Sequence, residues 1–150
     1  MISREPIFHI HCELANILDV GLGPFGHRRV VNILGGTIAG EKLSGRILPG
    51  GADWQILAAD GAADIHARYT VESDAGALIQ VDSKGVRHGP PDVMARLVKG
   101  EDVDPSLYYF RTVMRFETGH PSTSWLNRIL ALARGAREKN AVRLDVYEVL

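Results

Sequence analysis

Asp53, Asp64, Arg111 and Glu117 are the side chains best suited to proton-transfer chemistry. A carboxylate whose pKa is shifted by burial serves as general base or acid, and an arginine holds a carboxylate or enolate oxygen through its planar fork of donors. Arg111 and Glu117 lie in Tyr108-Tyr-Phe-Arg-Thr-Val-Met-Arg-Phe-Glu-Thr118, an aromatic and β-branched stretch that reads as a strand. Alternation puts Tyr109, Arg111, Val113, Arg115 and Glu117 on one face and Tyr108, Phe110, Thr112, Met114, Phe116 and Thr118 on the other. If the charged face points inward, Arg111 and Glu117 need partners such as Asp53, Asp64 or Arg68, because unpaired buried charges are costly. With Trp54, His66, Arg68, Tyr109, Trp125 and Asn127 around them, they would line an amphipathic, substrate-binding pocket.

A purely architectural role competes with each assignment. Arg111 with Asp64 or Glu117 suits an interior salt bridge that fixes strand register. Trp54 and Trp125 suit core or lid anchors, His66 a hydrogen-bonded wall residue, and Asn127 a turn residue bonded to its own backbone. Ser44, Ser83, Ser122 and Ser124 have no His–Asp context, which argues against a serine hydrolase. Cys12 adjoins His11, but neighbouring strand residues face opposite ways, so the pair is badly placed for a nucleophile and base. His9, His11 and Glu13 share one face of a first strand; imidazole and carboxylate are metal ligands, yet a solvated outer face gives the same pattern, and no metal site is assigned.

The elements that position these residues are short strands. Ile7 to Leu14, the long segment from Arg28 onward, Gln55 onward, Ala63 to Glu72, Ala77 to Asp82, Tyr108 to Thr118 and Val142 to the C-terminus all read as strands, and Arg128 to Ala133 reads equally well as one. Gly21, Gly23 and Gly26 resemble a phosphate-cradling loop, but the helix that should follow is replaced by a strand. A mobile loop at a barrel mouth is expected there instead. Gly35-Gly36 inside a strand implies a bulge, a bend or a close backbone approach. Tight turns are expected at Asp74–Gly76, Ser83–Gly85 and Gly135–Asn140. Asp92 is expected to cap a short helix reaching Lys99 with Val93, Met94, Leu97 and Val98 as its apolar stripe, and Thr123 or Ser124 a brief turn at Trp125–Asn127. Eight to ten strands at short spacing, glycine bends and terminal strands able to pair favour a mainly β protein, one small closed antiparallel barrel over residues 1–150 with one short helix.

Composition bounds the function. The chain has 150 residues, 45% apolar and 23% charged, which suits one soluble domain. Its 17 basic and 18 acidic residues show no basic stripe, so nucleic acid is not an expected partner. No apolar run reaches the roughly 20 residues that span a bilayer, and the first residues lack a signal-peptide core, so no membrane partner is expected. A single cysteine fits a cytoplasmic location.

Gly35-Gly36, Gly45, Pro49-Gly-Gly-Ala-Asp-Trp54, Asp60-Gly, Ala67-Arg-Tyr-Thr70, Gly76, Gly85, Tyr109-Phe-Arg-Thr112, Phe116-Glu-Thr118 and Trp125-Leu-Asn127 together resemble the bacterial and fungal DUF3237 family, also called UPF0311. The resemblance runs from about residue 12 to 150 and implies a small antiparallel barrel of the calycin or allene-oxide-cyclase type. It implies no particular reaction, since the family is one of unknown function. Asp82-Ser-Lys-Gly85 departs from the family pattern, which has an asparagine before the glycine of this turn.

Two functional expectations follow. One is a cofactor-free isomerase, cyclase or lyase acting on a small hydrophobic, oxygenated molecule by acid/base catalysis. The other is a non-catalytic module that binds a small apolar or aromatic ligand. Lipocalin-like binding is a common use of such a barrel, whereas a polar inner face favours chemistry. If Arg111 and Glu117 point in, Phe110, Met114 and Phe116 point out, and a homo-oligomer becomes one way to cover them.

Overall fold

The computed structural model describes residues 1–150. Its strands are β1 (Phe8–Leu14), β2 (Leu18–Gly23), β3 (Gly26–Ala39), β4 (Ser44–Ile47), β5 (Ala52–Leu57), β6 (Ala63–Ser73), β7 (Leu78–His88), β8 (Tyr109–Thr118), β9 (Ala131–Arg137) and β10 (Ala141–Glu148). One α-helix, α1 (Pro91–Val98), and 3-10 helices at Pro105–Leu107 and Pro121–Arg128 complete the chain. All pairings between strands are antiparallel. Around the wall the order is β1, β10, β9, β8, β7, β6, then β4 and β5 sharing one place, then β3, which closes onto β1. The result is a closed barrel of eight staves, with β2 lying beside the first half of β3. The terminal strands pair as expected, Phe8 opposite Val146 and Cys12 opposite Val142. No helix is long and apolar enough to cross a membrane.

Closure is made possible where β3 changes partners. Glu13 faces Gly35 but Leu14 faces Ile33, so Leu34 is an extra residue and β3 bulges. At Gly36 φ is +139°, and a Cβ there would lie 1.9 Å from the His11 carbonyl oxygen, so only glycine fits this crossing.

The interior has two ends. Phe8, Ile10, Ile33, Ile38, Ile47, Val71, Ile79, Val81, Met114 and Phe116 fill one, and Leu126 from the second 3-10 helix plugs it. At the other end α1 lays Val93, Met94 and Leu97 over Ala63, Ile65, Tyr108 and Phe110. Asp92 lies in the first turn of α1, but the N-cap is Pro90 and no side chain caps the helix. Likewise His120, and neither Thr123 nor Ser124, caps the second 3-10 helix, its ring accepting from the Ser122 N–H.

Three expected turns take other forms. The glycines after Asp19 belong to the β2–β3 hairpin, Gly23 opposite Gly26, and not to a loose loop. Ser83–Gly85 is the middle of β7, with Ser83 paired to Ala67 on one side and Met114 on the other. Gly135–Arg137 is strand, and the turn is confined to the residues after it.

Candidate functional site

The orientation of β8 decides which charges enter the barrel. Phe110, Thr112, Met114, Phe116 and Thr118 are buried, and Tyr109, Val113, Arg115 and Glu117 are exposed, with Arg111 half-buried. The condition that Arg111 and Glu117 point inward is therefore not met. Burying a Phe or Met side chain gains about 1.5–3 kcal/mol, whereas a buried charge needs compensation, so the apolar face goes in. Neither Arg111 nor Glu117 pairs with Asp64, and Arg111 donates to the Phe110 carbonyl (2.9 Å) and lies 5.0 Å over Tyr109. Because Phe110, Met114 and Phe116 are inside, the reason given for a covering second subunit falls away.

The other expected residues disperse. Asp64 is exposed on the outer wall. His66 and Arg68, also outward, meet Asp82 at 3.3 and 3.6 Å. Trp54 is 40% exposed on the outside of β5. Trp125 packs at the edge of the plugged core under Lys42, 5.3 Å from its ring. Asn127 bonds Thr118 instead of its own backbone, accepting from its N–H and donating to its carbonyl, both at 2.9 Å. Tyr109 and Arg111 do share a groove of about 660 Å³ with Arg4, Leu132, Arg134 and Tyr147, but it lies on the outer wall. Its charges are solvated, and Arg134 already pairs with Asp145 at 3.2 Å. His9 likewise pairs with Asp145 (2.7 Å) and does not join His11 and Glu13.

Asp53 is the exception. It sits opposite Val31 and Ala67 on the inner face, and it belongs to a polar layer between the two apolar ends. Arg29 continues the inward phase of Val31 and Ile33 on β3, Arg87 that of Ser83 and Gly85 on β7, and Arg137 that of Ala133 and Gly135 on β9. Gln55, beside Arg29 in register, completes the set. These four went unrecognised in the sequence. Strand phase was the available signal, but turns assigned at Ser83–Gly85 and Gly135–Asn140 broke that phase before Arg87 and Arg137.

Within the layer, Asp53 Oδ2 accepts from Gln55 Nε2 at 2.8 Å, and Oδ1 accepts from the backbone N–H of His66 at 3.1 Å. None of the arginines reaches Asp53 within ion-pair distance. Arg29 and Arg87 are 6% and 4% exposed, and the Nε of each, like Gln55 Oε1, is buried without a hydrogen-bond partner. Arg87 stacks over Phe110 at 5.8 Å. Arg137 stands beside Tyr108, whose hydroxyl accepts from the Arg137 backbone N–H at 2.8 Å.

Electrostatics follow from this crowding. Burial, then the charges of Arg137 and Arg29, pull Arg87 down to about 10. Burial lowers Arg137 and Arg29 as well. Burial raises the Asp53 carboxyl above its ordinary range, against the opposing pull of Gln55, the His66 N–H and the nearby arginines. Three guanidiniums thus face one carboxylate, leaving an excess of positive charge in a low-dielectric interior. Asp53, Ala67 and Arg137 point inward yet are only half-buried, so solvent reaches the layer. Ala67, Ser83, Gly85, Thr112 and Ala133 contribute small side chains at this level, beside the larger Val31, Ile65 and Met114 that pair with Asp53, Gly85 and Ser83. The arrangement can hold an anion, and it can move a proton at Asp53.

Known proteins share both the sequence and the barrel. The model of the family described as "Protein of unknown function (DUF3237)" matches residues 2–149. A UPF0311 protein of Rhodopseudomonas palustris is 41% identical over 149 residues, 99% of this chain and 97% of that protein. The crystal structure of a conserved protein of unknown function from the same species superposes with a TM-score of 0.94 at 39% identity, covering 100% of this chain and 98% of the other. A β-barrel-like protein from Acinetobacter baumannii gives 0.85 at 43% identity, covering 99% and 96%. Matched from end to end in sequence and in fold, the chain belongs to the DUF3237 (UPF0311) family.

Proposed function

We propose that the barrel binds a small oxygenated organic anion in the layer of Arg29, Arg87 and Arg137, and that Asp53 transfers a proton on it. The reading rests on one observation above all: two nearly sealed arginines keep an unpartnered Nε, and the only carboxylate among them forms no ion pair. Buried polar groups are almost always satisfied, so unmatched donors beside the half-buried Asp53 and Arg137 suit a ligand. A carboxylate or an enolate has the charge and planar oxygens that guanidinium donors fit.

The chemistry that fits is cofactor-free proton transfer. Asp53 takes a proton from carbon next to a carbonyl; the C–H electron pair moves into the C–C bond as the carbonyl electrons move to oxygen. The enolate oxygen rests against the arginines. Returning the proton at another carbon completes an isomerisation, and expelling a leaving group in place of reprotonation completes an elimination. Burial helps Asp53 in this role, because a raised pKa makes a stronger base. A non-catalytic carrier is the second reading, favoured by the two hydrogen bonds that already hold Asp53 in the wall.

A thermal-shift panel of small ketones, enones, lactones and carboxylic acids tests binding on wild type, Arg137→Gln and Arg111→Ala. A ligand at 100 times its Kd adds about 2.7 kcal/mol of stability. Carboxylates or enolisable acids should shift wild type and Arg111→Ala alike and lose the shift in Arg137→Gln. Shifts that survive in Arg137→Gln, or a panel without any shift, overturn the reading. Deuterium uptake from D2O into a bound ketone, absent in Asp53→Asn, separates enzyme from carrier.

A further inference from the structure

Tyr69 points inward on β6, one layer deeper than Ala67 and Asp53, at the boundary with the apolar core. The residue is 2% exposed, and its hydroxyl has no hydrogen-bond partner. The Cys12 thiol, which enters from β1 on a separate part of the wall, lies beside it but is a weak donor and a weak acceptor. An orphaned phenol is expensive: a buried hydroxyl left unpaired forfeits its hydration with nothing in return. Phenylalanine would fill the same space against Val81 and Gly51 without that penalty. The hydroxyl therefore has work that packing within the chain does not explain.

Its neighbours say what kind of work. Above it the polar layer offers positive charge from three arginines and the acceptors Asp53 and Gln55 Oε1. At the level of Tyr69 there is no charge, only this hydroxyl and the Cys12 thiol among Val71, Val81 and Phe116, and the buried Thr118 and Thr123 hydroxyls of the plugged end bond each other at 3.0 Å. A ligand seated on the arginines with its body pointing down the barrel would bring its far end to Tyr69. Resting on the anion-binding reading of the layer above, we infer that Tyr69 hydrogen-bonds a second, uncharged oxygen of the ligand, making the ligand class a small carboxylate that carries a hydroxyl or carbonyl group at its inner end. Tyr69 then sets specificity by rejecting analogues without that oxygen, which would leave the phenol unpaired.

The test measures Kd for benzoate, 3-hydroxybenzoate, 4-hydroxybenzoate and 4-acetylbenzoate on wild type, Tyr69→Phe and Arg137→Gln, with unfolding midpoints for all three proteins. In wild type at least one oxygen-bearing probe should bind about 3- to 10-fold tighter than benzoate, the range of one neutral hydrogen bond. Tyr69→Phe should erase that ratio, leave benzoate unchanged and unfold no earlier than wild type, because within the protein the hydroxyl it removes meets only the weakly bonding Cys12 thiol. If benzoate binds and depends on Arg137 but the ratio is absent, or persists in Tyr69→Phe, the role of Tyr69 is overturned while the arginine layer stands. A lowered unfolding midpoint in Tyr69→Phe would also overturn it, by showing that the hydroxyl serves the fold. If no probe binds wild type, or Arg137→Gln binds all of them equally well, the anion-binding layer itself fails and the inference falls with it.

Discussion

The Asp53 carboxylate accepts a hydrogen bond from the His66 backbone N–H at 3.1 Å, where the β5–β6 ladder runs from Asp53–Ala67 to Ile56–Asp64 without the pairs between them. The same side chain that carries the inner negative charge thus also replaces a missing rung of the wall. Asp53→Asn and Asp53→Ala should separate these duties. Asparagine keeps an oxygen for the His66 N–H, so it should fold nearly as wild type. Alanine strands that N–H and the Gln55 amide, and should lose about 1–3 kcal/mol. Chemical denaturation measures the difference, and amide hydrogen exchange at His66 should speed up in the alanine variant alone.

The buried charge also gives stability a pH dependence of unusual sign. Burial raises the Asp53 pKa in the folded state above the ordinary 3.8 of an exposed aspartate. Between that value and the raised one, the native protein binds more protons than the unfolded chain, so stability from this group falls as pH rises through the window and is flat above it. A salt-bridged carboxylate behaves oppositely. Subtracting the denaturation profile of Asp53→Asn from that of wild type isolates the effect. A difference that grows more favourable to wild type with rising pH would show that ion pairing, not desolvation, governs Asp53.

Strand alternation reveals most of the wall but little of the site. β1, β6 and β8 alternate cleanly in sequence, and their phases are those of the barrel. Alternation alone leaves open which phase of β8 faces inward, and the burial of Phe110, Met114 and Phe116 settles the question. Arg29, Arg87 and Arg137 stayed hidden for a different reason. Each is an arginine among residues of ordinary surface strands, and the inward direction of Arg87 and Arg137 appears only when phase is carried through Ser83–Gly85 or Gly135, stretches whose local chemistry signals a turn. Tertiary pairing overrides that local signal: β7 is held on both sides, by β6 and by β8. That the Tyr69 hydroxyl lacks a partner depends on strands far apart in sequence.

Gly85 gives this override a measurable consequence. A Cβ there would lie 1.9 Å from the Arg111 carbonyl oxygen and 2.6 Å from the Thr112 Cα, both backbone. No side chain can yield, so Gly85→Ala must part β7 from β8. It should cost more than about 2 kcal/mol, within the range of overpacked cores. Gly119→Ala has nothing within 4 Å and should stay within about 0.5 kcal/mol of wild type. Equal midpoints for the two variants would mean that the β7–β8 contact is looser than described.

Asn127 and Leu126 are neighbours in the plug with different duties, and both should be separable from ligand binding. Leu126 is fully buried against the core, so Leu126→Ala should cost about 2–5 kcal/mol. Asn127→Ala removes only the two bonds to Thr118, a loss of about 1–2 kcal/mol. Because the plug closes the end opposite α1, ligands that respond to Arg137→Gln should bind Asn127→Ala with unchanged affinity. A weakened affinity in Asn127→Ala would move the binding space towards the plug and restore Asn127 as a contact residue.

Cys12 reports on the same interior from the other side. Its thiol is 4% exposed, and burial pushes its pKa up to about 12, with Asp53 adding to the rise and Tyr69 opposing it. The thiolate is the reactive form, so native protein at pH 8 should react with a thiol-directed disulfide reagent only as fast as it opens. Denaturant should release one full equivalent, and Leu126→Ala, which loosens the plug, should label faster than wild type. A bound carboxylate should slow labelling further, because binding stabilises the closed state by mass action. Rapid labelling of native wild type would mean that the wall beside Tyr69 admits reagent directly, and that the apolar floor of the polar layer is open.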